Sequence, residues 1–247
     1  MSLSLSLTIL PLQGLPEVEP GADLAGLVTQ CHPVEDEDVL VLAQKVVSKA
    51  EGRIVRLEEV EPSQRALELA GDDGADPRHV EVILREAVRV VRRRGALVIA
   101  ETRHGFVCAS AGVDVSNAPE RGSLVLLPLD PDASARRIRD RLRELTGHGV
   151  AVIVSDSFGR PWRQGTTDIA IGVAGLAPLL DLRGTKDATG YELRTTQIAV
   201  ADELAGAAEL VMGKASRVPG AVIRGYRARG DGSARELVMP ADRDLFR

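Results

Sequence analysis

The chain has 247 residues, 44% hydrophobic and 27% charged, enough for a sizeable core in one large domain or two small ones. Its formal net charge of −5 argues against broad non-specific nucleic-acid binding, and three Phe, two Tyr and one Trp are too few for a site built on stacked rings. Two cysteines, Cys31 and Cys108, with no CxxC, fit a reducing cytoplasm and give no zinc signature.

The N-terminus alternates with period two and predicts a strand over 5–12; it lacks the basic n-region and long apolar h-region of a signal peptide. No apolar run approaches the roughly eighteen residues needed to span a bilayer, so no membrane partner is expected. A Gly/Pro-punctuated loop follows, and Asp23 caps a short helix to about Gln30. The apolar run 39–43 predicts a buried strand. Lys45, Ser48 and Lys49 come directly after it, either to serve an anionic ligand or as a solvated strand end.

Residues 53–60 predict a strand, and Pro62-Ser63 opens a helix to about Ala70. Asp72-Asp73-Gly74 is a turn. Asp76-Pro77 starts an amphipathic helix expected to reach Arg94, with Val80, Ile83, Leu84, Ala87, Val88 and Val91 on one face. Arg92, Arg93 and Arg94 suit the C-terminal end of its dipole and read as a solvated helix end. Residues 96–100 and 105–109 form an antiparallel pair across Arg103-His104. His32, His79, His104 and His148 form no metal-binding spacing and read as surface or loop residues. A polar loop over 111–119, a strand over 123–129 and a charged helix ending at Gly147 complete the middle of the chain.

Residues 152–172 carry the densest chemistry. An apolar strand, 150–154, breaks into a polar loop holding Asp156, Ser157, Arg160, Trp162, Arg163, Thr166, Thr167 and Asp168. Carboxylates and hydroxyls are the oxygen ligands preferred by Mg²⁺ or Mn²⁺, and Arg matches phosphate oxygens. Trp162 reads as a core or loop anchor. A third polar loop follows over 180–190, then an Ala-rich helix over 195–212 and a short strand over 221–224. No internal repeat, low-complexity tract or clean linker is visible.

Three polar loops thus supply Asp114, Asn117, Asp156, Ser157, Asp168, Asp181, Asp187 and Glu192, and Lys49, Arg160, Arg163 and Arg183 add positive charge. That is an inventory for a metal and a phosphate. GxxxxGK[ST], GxGxxG, GxSxG and the kinase triplets are all missing. Arg160, Arg163 and Lys214 are candidate clamps for phosphate or carboxylate.

Several blocks, in this order, resemble one family: Leu15-Pro16-Glu17-Val18, Lys45 to Gly52, Gly112 to Asn117, Ser155 to Arg163, and Val211-Met212-Gly213-Lys214. It is the coenzyme F420-0:L-glutamate ligases, and the resemblance covers essentially the whole chain. It implies a mixed α/β (α+β), non-P-loop fold forming an intertwined homodimer, with 1–247 as a single ligase domain of one or two interwoven subdomains. Some relatives carry a further C-terminal flavin-binding domain, and none is expected here. It implies a cytoplasmic, GTP-dependent ligase that activates the terminal carboxylate of F420-0 as an acyl phosphate and joins L-glutamate by a γ-linked amide.

By similarity Asp114 and Asp156 hold a divalent ion, Mg²⁺ or Mn²⁺, with Ser157 on a second, and K⁺ is a further expected ion. Leu15, Pro16, Glu17, Val18, Gln44, Lys49, Asn117, Met212, Gly213 and Lys214 contact GTP, the last three as part of a 212–219 segment. Gln44 stands where the family often has Ser or Thr, an amide in place of a hydroxyl. Asp114, Asp156 and Arg160 are the expected catalytic residues. The competing readings are a phosphohydrolase using the same aspartates and a non-catalytic nucleotide-binding homologue.

Overall fold

The computed structural model describes residues 6–71 and 74–245. The start of the alternating N-terminus, the Asp72-Asp73 turn and the last two residues lie outside the described residues.

The central sheet grows from strands that are apolar on both faces. β1 (Thr8–Pro11) leads through the first loop to α1 (Leu24–Cys31), where Asp23 accepts from the Gly26 N–H at 3.1 Å as the cap. β2 (Val39–Ala43) has its first four residues fully buried, and α2 (Gln44–Ala50) begins at the next residue. The region after β2 is therefore a helix, not a strand end, and it buries Gln44, Ser48 and Lys49.

A second layer follows. It contains β3 (Ile54–Arg56), α3 (Gln64–Ala70) capped by Ser63, and α4 (Pro77–Glu86) capped by Asp76. The helix expected to reach Arg94 stops at Glu86, and residues 87–94 are β4 (Ala87–Arg94). The run Ala-Val-Arg-Val-Val-Arg-Arg-Arg is rich in β-branched residues that pack better on a pleat than against a helical turn. β4 pairs antiparallel with β5 (Leu97–Thr102), setting Arg89 opposite Glu101 in a 2.7 Å ion pair. The three arginines 92–94 belong to this strand, not to a helix end.

β6 (Val107–Ala109) completes that three-stranded sheet, as expected across Arg103-His104. β7 (Ser123–Val125) pairs with β3. The apolar residues after it, Leu126 and Leu127, are core residues without being strand.

α5 (Pro131–Thr146) starts under the Asp130 cap, and it ends at left-handed Gly147, where the sequence predicts its end. β8 (Ala151–Arg160) and β9 (Arg163–Ala174) then form one long hairpin. The expected loop over 155–168 is thus mostly strand. Its turn is Pro161-Trp162, and Trp162 is 81% exposed there, so it is not a core anchor. β10 (Leu180–Asp181) and β11 (Gln197–Ile198) close a polar arm, α6 (Val200–Met212) follows, and β12 (Gly220–Arg224) returns to the main sheet.

The main sheet runs β1-β12-β2-β8-β9, with β2 and β8 parallel and the other neighbours antiparallel. Its alternation splits the core. Leu40, Leu42, Val152 and Val154 pack with α1 and α5 on one face. Val39, Val41, Ile153 and Ile223 pack with α6 on the other. A third cluster, including Val82, Val98, Leu124 and Leu126, holds the second layer. A Cβ on Gly172 of β9 would lie 2.3 Å from the Pro131 carbonyl oxygen, so glycine there allows the start of α5 to touch the sheet. The architecture is mixed α/β, as expected. Among the described residues no helix is long and apolar enough to cross a membrane.

His104 lies in the β5–β6 turn but is buried, unlike the surface residue expected. Its Nε2 donates to the Pro128 and Leu129 carbonyls at 3.0 and 3.1 Å, and its ring stacks on Phe106. Burial lowers its pKa, as it does for half-buried His79 on α4. A depressed folded pKa contributes stability that is present above the unfolded value of about 6.5 and is lost as pH falls through the folded value. Melting temperature should therefore drop between pH 7 and pH 5, and His104→Gln should flatten that slope in calorimetry. An unchanged slope would remove His104 from the account.

Candidate functional site

Parallel strands leave their carboxyl ends open at one edge of the sheet, and ligands in α/β proteins collect there. Here Ala43 of β2 and Ser155 of β8 are register partners at that edge. Beside them opens a cavity of about 620 Å³, within the range of small-molecule sites. Its walls come from the loop after β1 (Leu15, Pro16, Glu17, Val18), the β2–α2 junction, the Asn117 turn, the β8–β9 hairpin, and the end of α6 with its exit.

All ten residues expected to contact nucleotide line this one cavity: Leu15, Pro16, Glu17, Val18, Gln44, Lys49, Asn117, Met212, Gly213 and Lys214. Asp156 and Ser157 line it too. Asn117 has φ 56°, a left-handed turn that asparagine tolerates better than most residues. Gln44 is 1% exposed; its Oε1 accepts from the Ser48 hydroxyl at 2.8 Å, while its Nε2 has no partner among the described residues. An unpaired buried donor in a cavity wall suits a ligand acceptor.

Asp114 sits beside the cavity, on a bridge to Val125. The backbone N–H and hydroxyl of Ser116 both donate to its Oδ1 at 2.8 Å, and the Lys45 ammonium contacts Oδ2 at 2.5 Å. Burial alone would raise its pKa, but Lys45 and Ser116 outweigh burial and hold it below the ordinary value. Asp156 behaves in the opposite way. Burial pushes it up to about 7; Lys45 and the Ser157 N–H oppose this, and Asp114 and Asp168 reinforce it. Asp168 accepts the Ser155 hydroxyl at 2.9 Å and the Ser157 hydroxyl at 2.6 Å across the hairpin.

The donor set fits a hard divalent cation. It is all oxygen: the carboxylates of Asp114 and Asp156, with Asp168 acting on Asp156, and the Ser157 hydroxyl. No three His, Cys, Asp or Glu side chains among the described residues gather as a ready cage. Mg²⁺ commonly uses one or two carboxylates and takes its other ligands from water and phosphate.

Other expectations are placed elsewhere. Arg160 lies at the hairpin end, outside the cavity wall, where its Nη2 donates to the Gln164 carbonyl at 3.0 Å. Arg163 is its partner across the strands. The 181–192 arm does not line the cavity: Arg183 is spent on Asp181, and Asp187 on Thr189 and Tyr191. Sequence reasoning missed Glu209, which does line it; Arg217 lines it from the 212–219 segment expected there, and Lys45 lines it beside Lys49. Glu209 did leave a signal, since a carboxylate in the last turn of a helix opposes the dipole. Burial and Asp168 raise its pKa, against Lys214 and Lys45.

Fold and cavity together define a mixed α/β protein with a site built from oxygen donors and lysines for an anionic ligand. The family described as F420-0:Gamma-glutamyl ligase matches residues 14–225. The coenzyme F420:L-glutamate ligase of Methanothermobacter thermautotrophicus is 45% identical, over 98% of this chain and 100% of the relative. That of Methanopyrus kandleri is 49% identical over 94% of each, and that of Methanocaldococcus jannaschii 46% over 91% of this chain and 90% of the relative. The chain belongs to the F420-0:gamma-glutamyl ligase family, a family of ligases in coenzyme F420 biosynthesis.

Proposed function

We propose that this chain joins L-glutamate to F420-0 by a γ-linked amide, using GTP and an acyl-phosphate intermediate. The supporting observation is that one cavity holds all ten expected nucleotide residues together with Asp156 and Ser157. A carboxylate and an amine do not condense at neutral pH. Transfer of the GTP γ-phosphoryl to the F420-0 carboxylate supplies a leaving group; the glutamate nitrogen then bonds to the acyl carbon and phosphate departs. In this reading Lys49 and Lys214 meet phosphate oxygens, Gln44 Nε2 gives its unpaired N–H to a nucleotide acceptor, and the 15–18 turn and Asn117 position the nucleotide. Asp114, Asp156 and Ser157 would hold divalent cations, which when bound supply charge neutralisation on the triphosphate. Arg160, at the hairpin end and outside the cavity wall, enters as a candidate clamp for the substrate. An intertwined homodimer with a single ligase domain per chain is part of the same proposal.

Incubation with GTP, Mn²⁺ or Mg²⁺, L-glutamate and F420-0, read by mass spectrometry, tests it. A gain of one glutamyl unit is the expected result. Phosphate release that ignores glutamate and F420-0 points instead to a phosphohydrolase, and nucleotide binding without turnover to a non-catalytic homologue. Lys49→Ala should weaken GTP binding by about tenfold in calorimetry, since it removes a charge-assisted contact made by a buried lysine of the cavity wall. Unchanged affinity would take Lys49 out of the nucleotide site.

A further inference from the structure

Asp114 has two carboxylate oxygens with different fates. Oδ1 is held by two donors from Ser116, which fixes the plane of the carboxylate. Oδ2 takes no bond from Ser116, and the Lys45 ammonium sits on it at 2.5 Å, with the two side chains 14% and 28% exposed. A divalent cation on the same oxygen would compete with that ammonium for its lone pairs and would repel it. The four-carbon stem of Lys45 rises from the second residue of α2 and carries the charge into the cavity wall. The same ammonium acts on Asp156 and on Glu209, so one side chain partly neutralises three carboxylates.

We propose that Lys45 is the resident counter-cation of Asp114, occupying Oδ2 until a divalent cation displaces it. The inference rests on reading Asp114 and Asp156 as cation ligands. Two consequences follow from charge alone. Lys45 offsets the repulsion among the carboxylates, and cation entry frees a positive side chain for an anionic ligand. Lys49 is not the same device, because its partner Glu17 is 72% exposed in solvent.

The test is Mn²⁺ affinity without nucleotide or substrate, read from the paramagnetic resonance signal of free Mn²⁺. Lys45→Met should bind Mn²⁺ at least about tenfold more tightly than wild type, because a competing charge is gone. Lys45→Arg, which keeps the charge, should stay near wild type. Asp114→Asn should weaken Mn²⁺ binding. If Asp114→Asn weakens it while Lys45→Met leaves it unchanged or weaker, the counter-cation role is overturned and the ligand reading stands. If Asp114→Asn changes nothing, the ligand reading fails and the inference with it. Circular dichroism checks the fold, and Lys45→Gln carries the same expectation should the methionine variant not fold. A residue that only held the helix in place would lose Mn²⁺ affinity on substitution, not gain it.

Discussion

Asp156→Asn should yield a folded protein that has lost ligase turnover by about a thousandfold or more and is more stable than wild type when metal-free at pH 8. The two effects have one cause. Asp156 is partly buried beside Asp114 and Asp168, and its pKa is pushed up to about 7. Here the folded value lies above the unfolded one of 3.8. The cost of ionising it is absent below the unfolded value, builds as pH rises to about 7, and is constant above that. Discounted for its partial exposure, that cost is about 1–3 kcal/mol. The asparagine keeps the shape and an acceptor for the Ser157 N–H but carries no charge. Thermal melts in chelator should show the gain at pH 8 and its loss near pH 4. Retained turnover would sink the assignment of Asp156, and a variant less stable at pH 8 would sink the electrostatic account.

Asp132→Ala is expected to be the costliest single change to stability outside the hydrophobic core. Asp132 is the second residue of α5 and is 7% exposed. Its Oδ1 accepts from the Val173 and Ala234 N–H groups at 2.8 and 3.0 Å, and its Oδ2 from the Ser233 hydroxyl at 2.5 Å. One carboxylate therefore ties the start of a helix to β9 and to the C-terminal segment. Removing it strands buried donors, at about 3–5 kcal/mol, a large part of ordinary domain stability. For a chain of this size the melting temperature should fall by about 10 °C. Asp132→Asn, which retains an acceptor, should lose about half as much. A loss below about 1 kcal/mol in denaturant titration would show that water replaces the carboxylate.

Sequence patterns located β2, α1 and α5 well because their signals are local. β2 is apolar at every position, since both faces are covered, and both helices carry an aspartate cap whose side chain accepts from the first turn. The hairpin was read as a loop for a physical reason. β2 ends at Ala43, opposite Ser155, so beyond Ser155 the strand β8 pairs only with β9 and projects past the sheet. A projecting hairpin needs no apolar alternation, so its sequence is polar like a loop. The α4–β4 boundary failed similarly: Val88 and Val91 continue a helical period by chance, while the pairing that decides the matter lies in β5.

The site divides along the same line. Asp114, Asp156, Ser157, Lys49 and Asn117 were readable as candidates from their residue types in polar segments after apolar strands, whereas Gln44 and the metal and nucleotide roles came from the family resemblance. The convergence of Asp156, Ser157, Lys49, Gln44 and Asn117 on one cavity with Asp114 beside it, the partners that set Asp114 low and Asp156 high, and the arrival of Glu209 from α6 were not readable. The sequence by itself determined which residue types were on hand, the central strands and the family blocks. The tertiary structure alone decided that Lys45 reaches Asp114 and that Arg160 lies outside the wall. Charge interactions depend on distance and burial, and neither quantity exists until strands far apart in the chain have paired.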